Sequence, residues 1–170
     1  LAGNFADTYT GNVTISDATN VDIQATDITT INGDTTGTIT ITNTIDVNGT
    51  AAQVKAAFDA IDTNTGNATA TLSDAHTLAE LKSINNATSG TITLNDYTVA
   101  LSGSTADVEA ALAGTFGAAY TGNVTLSDAH NLAQLKAINN ATGGTITLNS
   151  YAVALSGSTA DVKAALAGTF

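Results

Sequence analysis

The chain has 170 residues, a formal net charge of −11, and no cysteine, proline, methionine or tryptophan. Its four basic residues cannot form the surface that neutralises phosphates, so nucleic acid is excluded as a partner. Disulfides and thiolate metal sites are excluded without cysteine, and no apolar run approaches the ~18 residues that cross a membrane. The chain opens with Leu1 and shows no signal peptide, so we expect a piece of a longer protein that does not insert into membranes.

An internal repeat organises the chain. The sequence of residues 72–76 recurs at 126–130, a shift of 54, and the similarity continues to Phe116 and Phe170. A diverged copy precedes these two, and the first five residues resemble the last five. The predicted divisions are residues 1–8 as the end of a preceding repeat, 9–62 as a diverged repeat 1, 63–118 as repeat 2 and 119–170 as repeat 3.

The predicted secondary structure of the first two repeats differs in two places. In repeat 1, a longer Asp-rich stretch at Thr19–Thr30 replaces the first short helix. In repeat 2, the pair Asn95-Asp96 predicts a two-residue hairpin turn that places Leu94 opposite Tyr97. Ile92, Val99 and Leu101 are then expected to be buried on the helix side.

Repeat 3 shows the clearest periodicities. Alternation around Val124 and Leu126 predicts a strand, and Ser127 or Asp128 is the expected N-cap of the following helix. That helix buries one stripe of Leu132, Leu135 and Ile138. Ser158 or Thr159 is expected to cap a second helix.

The predicted fold class is therefore mixed α/β (α+β). It consists of three β-α-β-β-α units of about 54 residues, stacked head to tail and in direct contact, with helices on one sheet face and Thr and Ala on the other.

One set of motifs carries a family resemblance. Val-Thr-Leu-Ser-Asp-Ala begins at 124, Leu-Ala-Gln-Leu-Lys-Ala-Ile-Asn-Asn-Ala-Thr at 132 and Gly-Thr-Ile-Thr-Leu at 144. Together they resemble a repeat of the giant tandem-repeat surface proteins of marine cyanobacteria, and are similar to repeats in other large secreted bacterial adhesins. The resemblance covers nearly the whole chain. It implies an extracellular or cell-surface location, a load-carrying or shielding role, and no catalytic residues.

Metal binding has two candidate sites. Asp74, His76 and Glu80 stand near one helix start, with the last two on one face, but Gln134 replaces Glu80 in repeat 3. A solvated helix start is the favoured interpretation. Asp62 and Asn64 begin a segment similar to an EF-hand loop but without its later ligands, and a turn between repeats is favoured there. We expect no cofactor, with Ca²⁺ as the alternative.

Rows of threonine form a third candidate surface, expected to point away from the helices. A flat threonine array can order water, so ice binding is a remote alternative, while β propensity alone also explains the rows. The row residues are Thr38, Thr40, Thr42, Thr91, Thr93, Thr145 and Thr147.

The leading hypothesis is a structural, non-enzymatic surface protein whose repeats stack into a fibre, stalk or layer. Its partner is then a neighbouring repeat or subunit, with no small-molecule substrate. The alternative is a calcium- or glycan-binding adhesin module. The residues expected at repeat junctions are Leu1, Phe5, Phe58, Leu112, Phe116, Leu166 and Phe170.

Overall fold

Short strands alternate with short helices in a computed structural model that describes residues 7–170. The strands are β1 (Val13–Ile15), β2 (Asp22–Gln24), β3 (Ile39–Ile41), β4 (Asp46–Gly49), β5 (Thr63–Asn64), β6 (Thr69–Leu72), β7 (Ile92–Thr93), β8 (Leu101–Gly103), β9 (Val124–Leu126) and β10 (Ile146–Thr147). The helices are α1 (Ala25–Asp34), α2 (Ala51–Ala60), α3 (Leu78–Ala87), α4 (Thr105–Leu112), α5 (Leu132–Ala141) and α6 (Thr159–Ala165). The fold is therefore mixed α/β, as predicted.

The strands form three parallel sheets, with orders β1-β3-β5, β2-β4-β6-β7 and β8-β9-β10. Paired residues lie between 22 positions apart, as for Ala70 and Ile92, and 26, as for Val13 and Ile39. Each helix also packs on the next helix along the chain, from α1 on α2 to α5 on α6. The chain therefore winds in successive turns, each lying on the turn before it, and this arrangement is called the stack below.

The core lies between the sheets and the helices. Val124 and Leu126 of β9 are buried, whereas Thr125 between them is exposed. Leu135 and Ile138 of α5 are fully buried against this inner side. The predicted strand alternation is thus confirmed, and so is the helix stripe at Leu135 and Ile138, whereas Leu132 is half-buried. Each fully buried aliphatic side chain contributes roughly 1.5–3 kcal/mol.

The predicted hairpin at Asn95-Asp96 is wrong. Ile92 pairs in parallel with Ala70 of the preceding turn, and Leu101 pairs in parallel with Val124 of the following turn. Residues 95–98 instead form a corner, in which the Asp96 carboxylate accepts from the Thr98 N–H at 2.7 Å. Asn95 and Asp96 therefore change the direction of the chain without forming a hairpin, because the strands on either side pair with strands in neighbouring turns of the stack.

The same corner explains the position of Tyr97. Its backbone carbonyl accepts from the N–H groups of Thr121 and Gly122, which belong to the next turn. Its hydroxyl accepts from the Leu94 N–H at 3.1 Å. The residues that were predicted to face each other across a hairpin are therefore joined through a side chain.

Helix starts correct a second prediction. Helix α5 has Asn131 as its N-cap, in a capping box with Gln134, and not Ser127 or Asp128. The Asp128 carboxylate is engaged elsewhere, since it accepts from Thr105 in the turn before. The Ser158 cap of α6 is confirmed, because the Ser158 hydroxyl accepts from the Asp161 N–H.

The Asp-rich stretch of the first repeat also differs from the prediction. Within Thr19–Thr30 the chain forms β2 and the start of α1, which buries Ala25 and Ile28. Asn20, at φ 65°, lies in the tight bend of the chain before β2. The helix forms because those two apolar residues, three positions apart, face the core.

The sheets continue across the predicted repeat boundaries. Strand β4 pairs with β6 across residue 62, and β8 pairs with β9 across residue 118. Strand pairing therefore does not stop at residue 62 or at residue 118. Among residues 7–170, none of the helices has the length and apolarity needed to cross a membrane.

Candidate assembly site

In the candidate calcium loop, the side-chain oxygens of Asp62 and Asn64 accept hydrogen bonds from backbone N–H groups. The Asp62 carboxylate accepts from the Ile39 N–H at 2.7 Å, which joins two turns of the stack. The Asn64 side-chain oxygen accepts from the Ala68 N–H at 2.9 Å. Asp62 thus ties β3 to the residue before β5, and Asn64 shapes the connection between β5 and β6.

The residues of the second candidate metal site also make separate contacts and do not converge. The Asp74 carboxylate accepts from the Ala51 N–H at 2.7 Å and so caps α2 of the preceding turn. Glu80 closes the capping box of α3 with Thr77. Within the described range, no three His, Cys, Asp or Glu side chains are placed to hold a metal ion.

His76 is buried, which corrects the expectation of a solvated helix start. The residue is 3% exposed and lies just before the N-cap of α3, not in its first turn. Nε2 lies 3.2 Å from the Tyr120 hydroxyl, which donates to the Val99 carbonyl at 2.6 Å. Since that hydroxyl has one hydrogen to give, Nε2 carries the proton, and Nδ1 has no hydrogen-bond partner.

Burial governs the electrostatics of this pair. It lowers the pKa of His76, against the opposing charges of Glu80, Asp96 and Asp74. It also raises the pKa of Tyr120, with a smaller contribution from Asp96 in the same direction. The pair is therefore neutral at physiological pH and links turns 44 residues apart in sequence.

Carboxylates join successive turns in the same way at two helix starts. Asp74 serves Ala51, and Asp128 accepts from both the N–H and the hydroxyl of Thr105 at 2.7 Å. The bonds from the Thr105 hydroxyl and N–H hold the pKa of Asp128 below its usual value. Each turn thus supplies an acceptor that the previous helix lacks.

Ion pairs link the helices of neighbouring turns. Lys82 pairs with Asp107 between α3 and α4, and Lys136 pairs with Asp161 at 2.6 Å between α5 and α6. The lysine hydrogen bond is the main cause that lowers the pKa of each aspartate. These pairs are partly exposed, so they orient the helices more than they stabilise them.

The residues predicted at junctions fall into two groups. Phe58 and Leu112 are buried at 3% and 4% exposure, and Phe116 is half-buried with its ring 6.1 Å from that of Tyr120. Leu166 and Phe170 are 53% and 38% exposed. Leu1 and Phe5 lie outside the described residues.

One identical segment occurs in both environments. The sequence Leu-Ser-Gly-Ser-Thr-Ala-Asp-Val occupies residues 101–108 and 155–162. At 101–103 it forms β8, which pairs with β9, whereas Leu155–Gly157 forms no strand. Together with the exposed Leu166 and Phe170, this unpaired segment makes up what we call the C-terminal face of the stack.

The threonine rows do point outward. Thr14, Thr40 and Thr63 are in register across β1, β3 and β5, and Thr125 is in register with Thr147. Their side chains are exposed or half-buried, on the sheet face opposite the core. Of the predicted row residues, Thr40 and Thr91 are half-buried, and the exposed ones are Thr38, Thr42, Thr93, Thr145 and Thr147.

Sequence reasoning missed the contacts that tie one turn to the next. The bonds made by Asp74, Asp128 and Tyr120 each reach a residue more than 20 positions away. A signal was present, since Asp74 and Asp128 stand 54 residues apart in matching segments.

Comparison with family models, curated proteins and solved structures found no match for the chain.

Proposed function

We propose that the chain is a structural, non-enzymatic segment built of three β-α-β-β-α units of about 54 residues. The units stack head to tail into an extended extracellular fibre, stalk or surface layer. Neighbouring repeats, in one chain or in adjoining subunits, are the partner in this proposal. Stability then arises from each unit's core and from the interfaces between neighbours.

The contrast between Leu112 and Leu166 carries this proposal. The two leucines stand 54 residues apart in matching segments, and one is 4% exposed while the other is 53% exposed. Leu112 ends α4, which packs on α5 of the following turn. Leu166 comes directly after α6, so a further turn stacked on α6 would cover it.

A lengthened chain tests the proposal. Appending a second copy of residues 117–170 after Phe170 should extend the particle by about 10 Å, since two further parallel-strand spacings are added. Small-angle scattering measures this length, and the thermal midpoint should rise because one more interface is buried. The control carries Val124→Asp and Leu126→Asp in the appended copy, so that its first strand cannot enter the core.

The outcome separates a stack from a compact globule. A lengthened chain that keeps its original maximum dimension, or that melts below the parent chain, would contradict the proposal. A control that stacks as well as the intact copy would contradict it too.

Calcium binding is tested by the same melts. Calcium should leave the thermal midpoint unchanged relative to chelator, because a ligand raises it only where the native state binds that ligand. A rise of many degrees would favour the adhesin-module alternative.

Ice adsorption is a second candidate function, and the in-register threonines of β1, β3 and β5 favour it. Parallel strands place such hydroxyls about 4.8 Å apart on an exposed face. An ice-recrystallisation assay with Thr14→Lys and Thr40→Lys checks it. Equal activity in the parent and variant chains, or none in either, would exclude this surface.

A further inference from the structure

Among residues 7–170, no strand lies beside the outer edge of β1, which is called its open edge below. Strand β1 is the outer strand of its sheet, and its other edge faces β3. The Val13 N–H donates to Thr38, and the Ile15 carbonyl accepts from Thr42, both on the β3 side. Because alternate residues of a strand direct their backbone groups to opposite edges, the N–H and carbonyl of Thr14 face the open edge.

The chain contains an internal precedent for filling that edge. Residues 9–17 match residues 120–128 at every position except Ile15, where Leu126 stands. In the second of these segments, β9 lies beside β8, with Leu101 paired to Val124. The Leu101 N–H donates to Asn123 at 2.9 Å, and the Ser127 N–H donates to Gly103 at 2.8 Å.

The C-terminal face repeats the other half of that pairing. Leu155–Gly157 has the sequence of β8, yet no strand lies beside it within the described part of the chain. Thr159 is exposed, whereas its counterpart Thr105 is 1% exposed and bonded to Asp128. A strand like β9, followed by an aspartate, is what this face lacks.

We propose that a second copy of the chain binds this face by adding its β1 as a parallel strand. The register is Leu155 with Val13, Ser156 with Thr14 and Gly157 with Ile15. The Leu155 N–H then donates to the Asn12 carbonyl, as Leu101 donates to Asn123. This interface rests on the proposed head-to-tail stacking and names the surfaces that meet.

Two side-chain contacts would accompany the added strand. Asp17 of the incoming copy comes to lie beside Thr159, where Asp128 lies beside Thr105. Val13 and Ile15 face inward next to Leu155. Such a contact joins unlike surfaces, so it continues along an open axis and does not close as a symmetric dimer.

Cysteine cross-linking tests the register directly, because the native chain has no cysteine. Thr14 and Ser156 are exposed, and neighbouring parallel strands bring paired Cα atoms to about 4.8 Å, within disulfide range. Thr14→Cys chains mixed with Ser156→Cys chains should form a disulfide-linked dimer under mild oxidation. Its yield should exceed that of either variant alone several-fold.

The matched control is Thr147→Cys. Thr147 is exposed on the same kind of strand face but is paired with Thr125 inside its own sheet. Thr14→Cys mixed with Thr147→Cys should therefore give only the yield of random collision. Equal yields with Thr147→Cys and with Ser156→Cys would overturn the inference.

Sedimentation of the cysteine-free chain supplies an independent readout. Association should strengthen with concentration and should weaken at least tenfold in Thr14→Pro. The Thr14 N–H makes no bond within its own sheet, so this edge substitution leaves the folded sheet hydrogen bonds intact. A parent chain that stays monomeric at every concentration, or unchanged association in folded Thr14→Pro, would overturn the inference. If the lengthened chain described above nevertheless stacks, stacking is confined to one chain and only the two-copy interface fails.

Discussion

The same eight residues fold differently at 101–108 and at 155–162. In the first segment Leu101 is paired with Val124 of the next turn and is 2% exposed. In the second, Leu155 is half-buried and unpaired, although α6 follows it as α4 follows β8. Since the local sequence is identical, the difference comes from the neighbouring turn. Strand formation here depends on its pairing partner, as expected where β propensity is weak and contextual.

The helices behave differently from the strands in this comparison. Ser104 and Ser158 cap α4 and α6 in the same way, each accepting from an aspartate N–H three residues later. Capping is a local interaction, so it forms whether or not a further turn is present. The neighbouring turn therefore completes the strand, while the helix start forms by itself.

The largest expected effect comes from truncating the two leucines at the helix ends. Leu112→Ala should lower the free energy of unfolding by about 3 kcal/mol, because it leaves a cavity at a buried site. Leu166→Ala should change it by less than about 0.5 kcal/mol, because the side chain is already half in solvent. Urea unfolding followed by circular dichroism measures both. Equal losses would show that Leu166 is covered in solution.

The next effect concerns the buried hydroxyl of Tyr120. Tyr120→Phe removes the group that joins His76 to the Val99 carbonyl, so it should cost about 1–2 kcal/mol. Tyr151→Phe is the matched control, because Tyr151 is 65% exposed. Its cost should be within a few tenths of a kcal/mol, as for other surface changes. A neutral Tyr120→Phe would mean that water replaces the hydroxyl.

Local patterns were enough to predict the helices other than α1 and the inward residues of β9. The stripe of Leu135 and Ile138 and the Ser158 cap are set by residues close together in sequence, and both are present. The pairing direction was not predictable in this way. A parallel partner lies 22 or more residues away, and Asn95-Asp96 has the same composition in a hairpin as in a corner.

In the candidate site too, some residues were predictable from the sequence and others were not. Leu112 was expected at a junction because its segment recurs, and it is buried beneath the following turn. The burial of His76 was missed because its partner, Tyr120, is 44 positions away. A residue with one distant partner leaves no periodic signal around itself.

A pH effect distinguishes the buried histidine from the surface carboxylates. The folded state lowers the pKa of His76, so the unfolded chain binds the proton first as pH falls below about 6.5. The free energy of unfolding should therefore be level above that pH and fall below it, with a slope of at most about 1.4 kcal/mol per pH unit. His76→Gln should flatten this slope, which urea unfolding at a series of pH values measures.

The carboxylates act in a separate, more acidic range. The pKa of Asp107 is lowered by its bond from Lys82, and that of Asp161 by Lys136. Their contribution is present above the ordinary carboxyl pKa of about 3.9 and is lost as pH falls below it. A slope between pH 5 and 6.5 that survives His76→Gln unchanged would contradict the assignment to His76.

The smallest expected effect compares the two outer strands near the start of the chain. Strand β1 places Thr14 in register with Thr40, whereas β2 places Asp22 in register with Asp46 on the same outward face. Like charges directly opposite each other destabilise a sheet, and the Asp46 carboxylate already has a partner in the Thr69 hydroxyl at 2.8 Å. Asp22→Thr should therefore raise the free energy of unfolding by about 0.5 kcal/mol at low salt. The gain should shrink as added salt screens the repulsion, and Asp17→Thr, at an exposed aspartate outside the helices and strands, serves as the control for a simple reduction of net charge. Equal gains from both substitutions would assign the effect to total charge and not to the in-register pair. A loss in Asp22→Thr alone would show that the charged outer strand contributes stability, in contrast to the threonine-bearing β1.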